Sequence, residues 1–292
     1  MNKKGFTLVE LLVVIGVILI LTTVIIIIST EIKEKVKINK GQSFDKEIVL
    51  RLGYDLIGEW TFEDSSDWGK DSSGYFNNGS YTGSGVNFLS DEDDCPAGTC
   101  LNFNGSDTNA ISVNYDSSKL LFQDSTELTV SVWVKPRGSL DSDGRIIAGT
   151  FYEGGGGMHK GWYLGQIVNT DKMDFYVFGN NSFAGSVKYD NFFAEFEEKW
   201  VHVVGVFKAN QYLKLFINGE EGESVQVDLI DQVSSSPNAK FEIGSRADSS
   251  SEGGWSGSID DIRVFREALS IAQVKDIYEE EREKYQRLVS NN

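Results

Sequence analysis

From Phe6 to Ile28 the chain carries one charge, Glu10, in an otherwise apolar run of 23 residues. As a helix at about 1.5 Å per residue the run reaches about 35 Å, against a hydrocarbon core of about 30 Å, so it is long enough to span a membrane. Whatever follows must then fold on one side of that membrane. The basic flank Asn2-Lys3-Lys4 keeps the N-terminus cytoplasmic by the positive-inside bias and places residues after Ile28 outside. No small-residue cleavage site follows the run, so it does not read as a removable secretory signal. A carboxylate near the start of such a helix costs roughly 3 kcal/mol even on lenient insertion scales, and Glu10 therefore needs a cationic partner.

The stretch Lys4-Gly5-Phe6-Thr7-Leu8-Val9-Glu10-Leu11-Leu12 resembles the processing site of type IV prepilins and pseudopilins. The resemblance implies that a prepilin peptidase cuts after Gly5 and methylates the new amine on Phe6. Residues 1–5 are then a leader, and 6–28 a transmembrane and assembly helix. It also supplies the partner of Glu10: the family's glutamate at this spacing neutralises the N-terminal amine of a neighbouring subunit, as apolar surroundings demand. Many pilins bend this helix with a proline, but residues 6–53 contain none, so any kink arises at Gly16 or from packing.

Over residues 29–53 the texture turns charged while Ile32, Val36, Phe44, Ile48 and Leu52 recur mostly every four residues. The spacing predicts an amphipathic stalk helix, weakened at Gly41; the alternative is a flexible linker. The formal net charge of -17 argues against nucleic acid and against simple attraction to anionic lipid, and suits a solvated external domain. The two cysteines stand in Cys95-Pro-Ala-Gly-Thr-Cys100. Outside the cytoplasm this reads as a local disulfide, and no second Cys or His pair lies nearby to complete a metal site.

From Tyr54 onward short β-forming runs alternate with Gly, Asn, Asp and Ser clusters. The spacing predicts strands at 56–62, 110–113, 128–135, 145–151, 161–167, 173–178, 200–207, 213–217, 240–244 and 257–265, which is an antiparallel sandwich. Asn218-Gly219 predicts a tight hairpin. Ser270 is a good N-cap for a helix whose apolar face is Ile271, Val274, Ile277 and Tyr278, with Glu279 to Glu283 expected to run on into solvent.

The strand words Gly58-Glu-Trp-Thr-Phe-Glu63, Lys70-Asp-Ser-Ser-Gly74, Leu128-Thr-Val-Ser-Val-Trp-Val-Lys135, Leu215-Phe-Ile-Asn-Gly219 and Gly257-Ser-Ile-Asp-Asp-Ile-Arg-Val-Phe265 resemble, in order, the concanavalin A-like jelly roll of laminin-G-like domains. The resemblance implies an all-β jelly-roll sandwich over 54–279, followed by a helical tail over 280–292, all carried on the long membrane helix.

Enzymes of that fold class place acids on one strand face as Glu-x-Asp-x-Glu, and no such triplet occurs; nor does a Ser/His/Asp order. The expectation is a binding protein and not an enzyme. The resemblance implies a structural Ca2+ at the sandwich edge, for which Asp71, Asn77 and Asp260 offer oxygen ligands. Equally open is that Asp71 and Asn77 shape turns while Asp260 or Asp261 forms an internal ion pair. For glycan stacking the candidates are Tyr152, His159, Trp162 and Tyr163 around Gly154–Gly157, and Trp255 after Gly253-Gly254.

The sequence thus reads as a pilin-like subunit, held in the cytoplasmic membrane before assembly and at the cell surface after. Its partners are other pilin subunits, a prepilin peptidase, the membrane, and extracellular glycans or surface proteins. Two alternatives stand beside it: a pseudopilin of a secretion or DNA-uptake apparatus, and an anchored lectin that never polymerises.

Overall fold

The computed structural model describes residues 55–90, 94–96, 98–113, 125–138, 145–154, 158–166, 170–180, 183–234, 236, 239–246 and 253–285. The chain divides into two units, Met1–Gly53 and Tyr54–Asn292. The whole first unit lies outside the described residues, and with it the expected leader, Gly5, Phe6, Glu10, the helix over 6–28 and the stalk over 29–53. Among the described residues no helix is long and apolar enough to cross a membrane.

The second unit is a two-sheet antiparallel sandwich. Its eight-stranded sheet runs β15 (Glu220–Gln226), β14 (Tyr212–Ile217), β13 (Val201–Lys208), β6 (Glu127–Pro136), β17 (Ser256–Phe265), β4 (Cys100–Asn104) and β3 (Val86–Leu89). β1 (Leu56–Trp60) continues the line of β4 along the second half of β17, with Glu59 opposite Arg263. The seven-stranded sheet runs β12 (Ala184–Asp190), β11 (Lys172–Phe178), β10 (Trp162–Gln166), β7 (Arg145–Gly149), β16 (Phe241–Ile243), β5 (Ala110–Val113) and β2 (Gly79–Thr82). A small hairpin, β8 (Tyr152–Gly154) with β9 (Met158–Lys160), stands apart from both. Among the described residues of the unit there are two helices, α1 (Phe192–Phe196) and α2 (Ile271–Tyr285).

Side chains alternate in and out along each strand, and the inward set is apolar. Leu128, Val130, Val132 and Val134 of β6 share one core with Trp162 and Leu164 of β10 and Met173, Phe175 and Val177 of β11. Each such fully buried side chain contributes about 1.5–3 kcal/mol. Asn218 and Gly219 both adopt positive φ, 50° and 78°, as the hairpin joining β14 to β15 requires.

Helix α2 begins with a reciprocal cap: the Gln273 N–H donates to Ser270 Oγ (3.3 Å) and the Ser270 N–H to Gln273 Oε1 (2.7 Å). Its buried residues are Val274, Ile277, Glu281 and Tyr285, one face at helical spacing. The expectation that Glu279 to Glu283 project into solvent fails at Glu281, which has no exposed surface. Arg263 on β17 explains why. Its Nη1 donates to Glu281 Oε1, its Nε donates to Glu59 Oε1 (2.8 Å), and Trp133 Nε1 donates to Glu281 Oε2 (2.6 Å). The helix is therefore integral to the domain as far as Tyr285, past the boundary expected at 279.

Candidate functional site

Asp71, Asn77 and Asp260 do not assemble into a cation site. Asp71 Oδ1 accepts from the N–H groups of Glu59 and Ser73 (both 2.9 Å), and Oδ2 from that of Asn77 (2.8 Å). Asn77 Nδ2 donates to Ile57 O (2.6 Å). Asp260 Oδ1 accepts from the Asp261 N–H, and its Oδ2 is in hydrogen-bond contact with Tyr285 OH (both 2.8 Å). These oxygens face donors where a calcium ion needs six to eight free ones, and among the described residues no group of acids, His or Cys is placed to hold a metal. The residues present do not fit the ion; Asp71 and Asn77 tie the 71–78 loop to β1 instead.

Trp162 and Trp255 have no exposed surface and lie in the sandwich core, so neither ring can meet a ligand. Both are flanked by glycines, which had suggested loops, yet Trp162 is the inward residue opening β10. Tyr152 is half-buried in β8 opposite Lys160. His159 is exposed in β9, its ring 5.4 Å from both Phe151 and Phe178. Cys95 and Cys100 are joined by the expected disulfide.

The outer face of the seven-stranded sheet brings together a constellation that the sequence only hinted at. Because Trp162 and Leu164 point inward, Tyr163 points out; because Phe175 and Val177 point inward, Asp174, Tyr176 and Phe178 point out. Pairing registers then place one row across the sheet: Ser186, Tyr176, Tyr163, Gly149, Glu242, Ser112 and Ser80. At about 4.8 Å between strands the row spans about 29 Å.

Tyr163 and Tyr176 stack with centroids 5.5 Å apart, and Tyr176 stacks on Phe178 at 4.5 Å. Phe151 meets Tyr163 edge-on at 5.6 Å and carries the Arg246 guanidinium 4.4 Å over its ring. On the other side of Tyr163 the row drops to Gly149, where a Cβ would strike Trp162 O at 2.5 Å. Glu242, 8% exposed, follows and accepts from Ser112 Oγ, 6% exposed, at 2.7 Å. The row is thus an aromatic platform, a gap without a side chain, and a carboxylate-hydroxyl pair.

Beneath the platform Asp174, opposite Gly165 and Lys188 in register, has no exposed surface. Its Oδ2 accepts from Tyr163 OH at 3.2 Å. Burial pushes its carboxyl up to about 7, outweighing the attraction of Lys188. Burial, then the charge of Asp174, raises the Tyr163 hydroxyl as well. On the other sheet His202 is fully buried against Trp133, Oγ of Ser131 lies 2.8 Å from its Nε2, and burial pushes it down to about 3. It is a neutral structural imidazole.

The family model described as "Concanavalin A-like lectin/glucanases superfamily" matches residues 104–275, and that described as "Prokaryotic N-terminal methylation motif" matches residues 1–26. No curated protein matches the chain. Among solved structures the chain is similar to the receptor binding domain of botulinum neurotoxin C/D mosaic serotype, with TM-score 0.60 and 19% identity over 77% of this chain and 51% of that one. It is also similar to the botulinum neurotoxin serotype D ligand binding domain in complex with N-acetylneuraminic acid, with TM-score 0.57 and 18% identity over 77% and 50%. A third is domain 4 of AbnA, an extracellular arabinanase from Geobacillus stearothermophilus, in complex with arabinotriose, with TM-score 0.55 and 21% identity over 77% and 98%. At these identities the likeness carries the fold alone, and the chain spans about half the length of the toxin domains.

Proposed function

Because the chain belongs to the concanavalin A-like lectin/glucanases superfamily and opens with a prokaryotic N-terminal methylation motif, we propose that it is a type IV pilin-like surface subunit that binds neutral oligosaccharides on the outer face of its seven-stranded sheet. The observation that carries the binding half is the Tyr176–Tyr163–Gly149–Glu242 row. Sugar rings present flat C–H faces to aromatic rings while their hydroxyls seek carboxylates and other hydroxyls. A saccharide stacked on Tyr163 would lie over Gly149 with its edge toward the small exposed part of Glu242. The complexes of AbnA domain 4 with arabinotriose and of the serotype D domain with N-acetylneuraminic acid support saccharides as the class. A chain of net charge -17 favours the neutral kind over the anionic.

In this reading the domain binds and does not cleave. Asp174 is covered by the platform and Glu242 is tied to Ser112, so these two acids do not flank an open cleft as a hydrolytic pair must. Export and polymerisation fall to the N-terminal segment. Gly5 and Phe6 are the processing site, Glu10 pairs with a neighbour's amine, and the apolar run holds the subunit in the cytoplasmic membrane until assembly carries the domain to the surface.

The test is the full chain in detergent on an array of neutral and anionic oligosaccharides. Binding to neutral members is expected, weakened about ten-fold by Tyr176→Ala through loss of one ring contact. Silence across the array, or binding that ignores Tyr176→Ala and Glu242→Gln, would overturn the proposal.

A further inference from the structure

The last turn of α2 meets the eight-stranded sheet through one phenol. Tyr285 OH lies 2.8 Å from Asp260 Oδ2 and 2.9 Å from Asp261 Oδ2, and all three residues are buried. Consecutive side chains on a strand ordinarily point to opposite faces. Here β17 bulges between Asp260 and Arg263 opposite β6, Asp261 takes a φ of +45°, and Ile259 and Ile262 on either side stay in the core. Both carboxylates therefore turn to the face that α2 covers, because a bulge re-aims the side chains it carries.

Hydrogen counting constrains how this group is protonated. A phenol has one O–H to donate, so it satisfies one of the two carboxylate oxygens. The other oxygen-to-oxygen contact needs a hydrogen of its own, and a protonated carboxyl supplies it. The surroundings decide which acid that is. Lys284 Nζ lies 3.6 Å from Asp261 Oδ2 and Arg263 Nη2 lies 3.9 Å from Asp261 Oδ1. Burial alone would raise Asp261, but these two cations outweigh it and hold its carboxyl below the usual range. Asp260 makes no ion pair among the described residues, and its Oδ1 accepts from the Asp261 N–H at 2.8 Å. Burial, then the charges of Asp261 and Glu63, hold its carboxyl well above the usual range. Burial and the same pair of aspartates raise the phenol too, so Tyr285 keeps its hydrogen.

We propose that a proton held by Asp260 latches the last turn of α2 to the sheet: Asp260 Oδ2–H donates to the Tyr285 oxygen, and Tyr285 O–H donates to ionised Asp261. Loss of that proton leaves three oxygens sharing one hydrogen, with a second buried charge beside the first. Tyr285 then withdraws from its stacking on Trp133 and Trp200, whose rings lie 4.0 and 5.2 Å away. Other groups face the latch from every element around it. Helix α2 brings Lys284 and also Glu281, which pairs with Arg263 of β17 and which burial pushes up to about 7. Strand β1 brings Glu59, also on Arg263, and Glu63 follows it. Strand β13 brings His202, neutral through burial, and β6 brings Trp133, which does not titrate. The folded value of Asp260 lies above its unfolded one, so the latch is complete in acid and opens as pH rises through the folded value.

The test uses the full chain in detergent. At pH 6 an ordinary aspartate is ionised, so infrared spectra should show a protonated-acid carbonyl band that Asp260→Asn removes and Asp261→Asn does not. The amide of the first variant donates to the Tyr285 oxygen as the acid does, but without titrating. Backbone hydrogen exchange at residues 281–285 is then compared between the unmodified chain and Asp260→Asn at each pH, which cancels intrinsic rates and the titration of Glu281 and Asp174. The ratio should be flat in acid and rise about ten-fold per pH unit once the carboxyl titrates. Asp261→Asn should speed the same exchange at every pH, because Lys284 and Arg263 lose a counter-charge. A band lost in Asp261→Asn and kept in Asp260→Asn, a band kept in both, or a ratio flat to about pH 10 would overturn the proposal. The latch lies on the sheet opposite the tyrosine platform, so oligosaccharide binding has no part in the outcome.

Discussion

Replacing Asp174 with Asn isolates the buried acid under the tyrosine platform. The carboxyl moves from an ordinary value of 3.8 to about 7, burial being the largest cause, Lys188 and the Tyr163 hydroxyl opposing it, and Glu223 reinforcing it. The folded pKa lies above the unfolded one, so the folded state holds the extra proton. Its stabilising share is fully present below about pH 4 and is lost as pH rises through about 7. A shift of about three units at about 1.4 kcal/mol each makes the loss roughly 4 kcal/mol at pH 8. For a domain of this size that is roughly 8–16 °C in melting temperature. Asn cannot ionise, and its own packing effect is the same at every pH. The assay is thermal unfolding of the full chain and of Asp174→Asn in detergent from pH 4 to 9. The melting curves should diverge in favour of the variant as pH rises from 5 to 8. Parallel profiles across that range would refute the reasoning that a desolvated acid underlies the platform.

Three further outcomes follow from single contacts. Glu281→Ala leaves the Arg263 guanidinium, 2% exposed, with Glu59 as its main counter-charge, and should cost about 3–5 kcal/mol by chemical denaturation; a change under about 1 kcal/mol would mean that α2 is not held by this pair. Reducing Cys95–Cys100 opens a loop of sequence separation five and should lower stability by about 2 kcal/mol, read as a melting shift with and without reductant. Chelator should leave the melting temperature unchanged, because Asp71 is filled by backbone N–H groups. Asp71→Ala should instead lower stability by at least about 3 kcal/mol whether or not calcium is added; rescue of the loop by calcium in the unmodified chain would overturn this.

Interior strands were legible because their residues obey a strict rule. Leu128 to Lys135 and Met173 to Phe178 send alternate side chains, nearly all apolar, into the core, and the ten strands expected from β-forming runs all form, within two residues at most ends. Edge strands were not. Glu220–Gln226 is exposed at nearly every position, so no burial alternates along it, and β2 and β3 hide in a Gly, Asn and Ser-rich stretch that reads as loop. The proposed binding face escaped for a related reason. Tyr163 had been singled out, but Tyr176 and Glu242 become neighbours only when the order β11-β10-β7-β16 is known. Trp162 and Trp255 misled because nearby glycine suggested exposure, whereas here glycine lets backbones approach closely around a buried ring.

The clearest divide between what local sequence expresses and what the fold demands is at α2. Its cap and apolar stripe are local and were readable from Ser270 to Tyr278. Its last two turns follow from strands far away in sequence: Trp133 and His202 face each other across β6 and β13, and Arg263 faces Glu59 across β17 and β1. That outer sheet face presents an indole, an imidazole and a guanidinium, each of which costs free energy when buried without a partner. Glu281 answers two of them, and Tyr285 stacks on Trp133 at 4.0 Å with its hydroxyl within hydrogen-bond distance of both Asp260 and Asp261. A helix stopping at Tyr278 would leave those groups under solvent or unpaired. The seemingly solvating run of acids after Tyr278 is therefore split by function: Glu281 completes the outer face of the eight-stranded sheet, while Glu279 and Glu283 stay exposed.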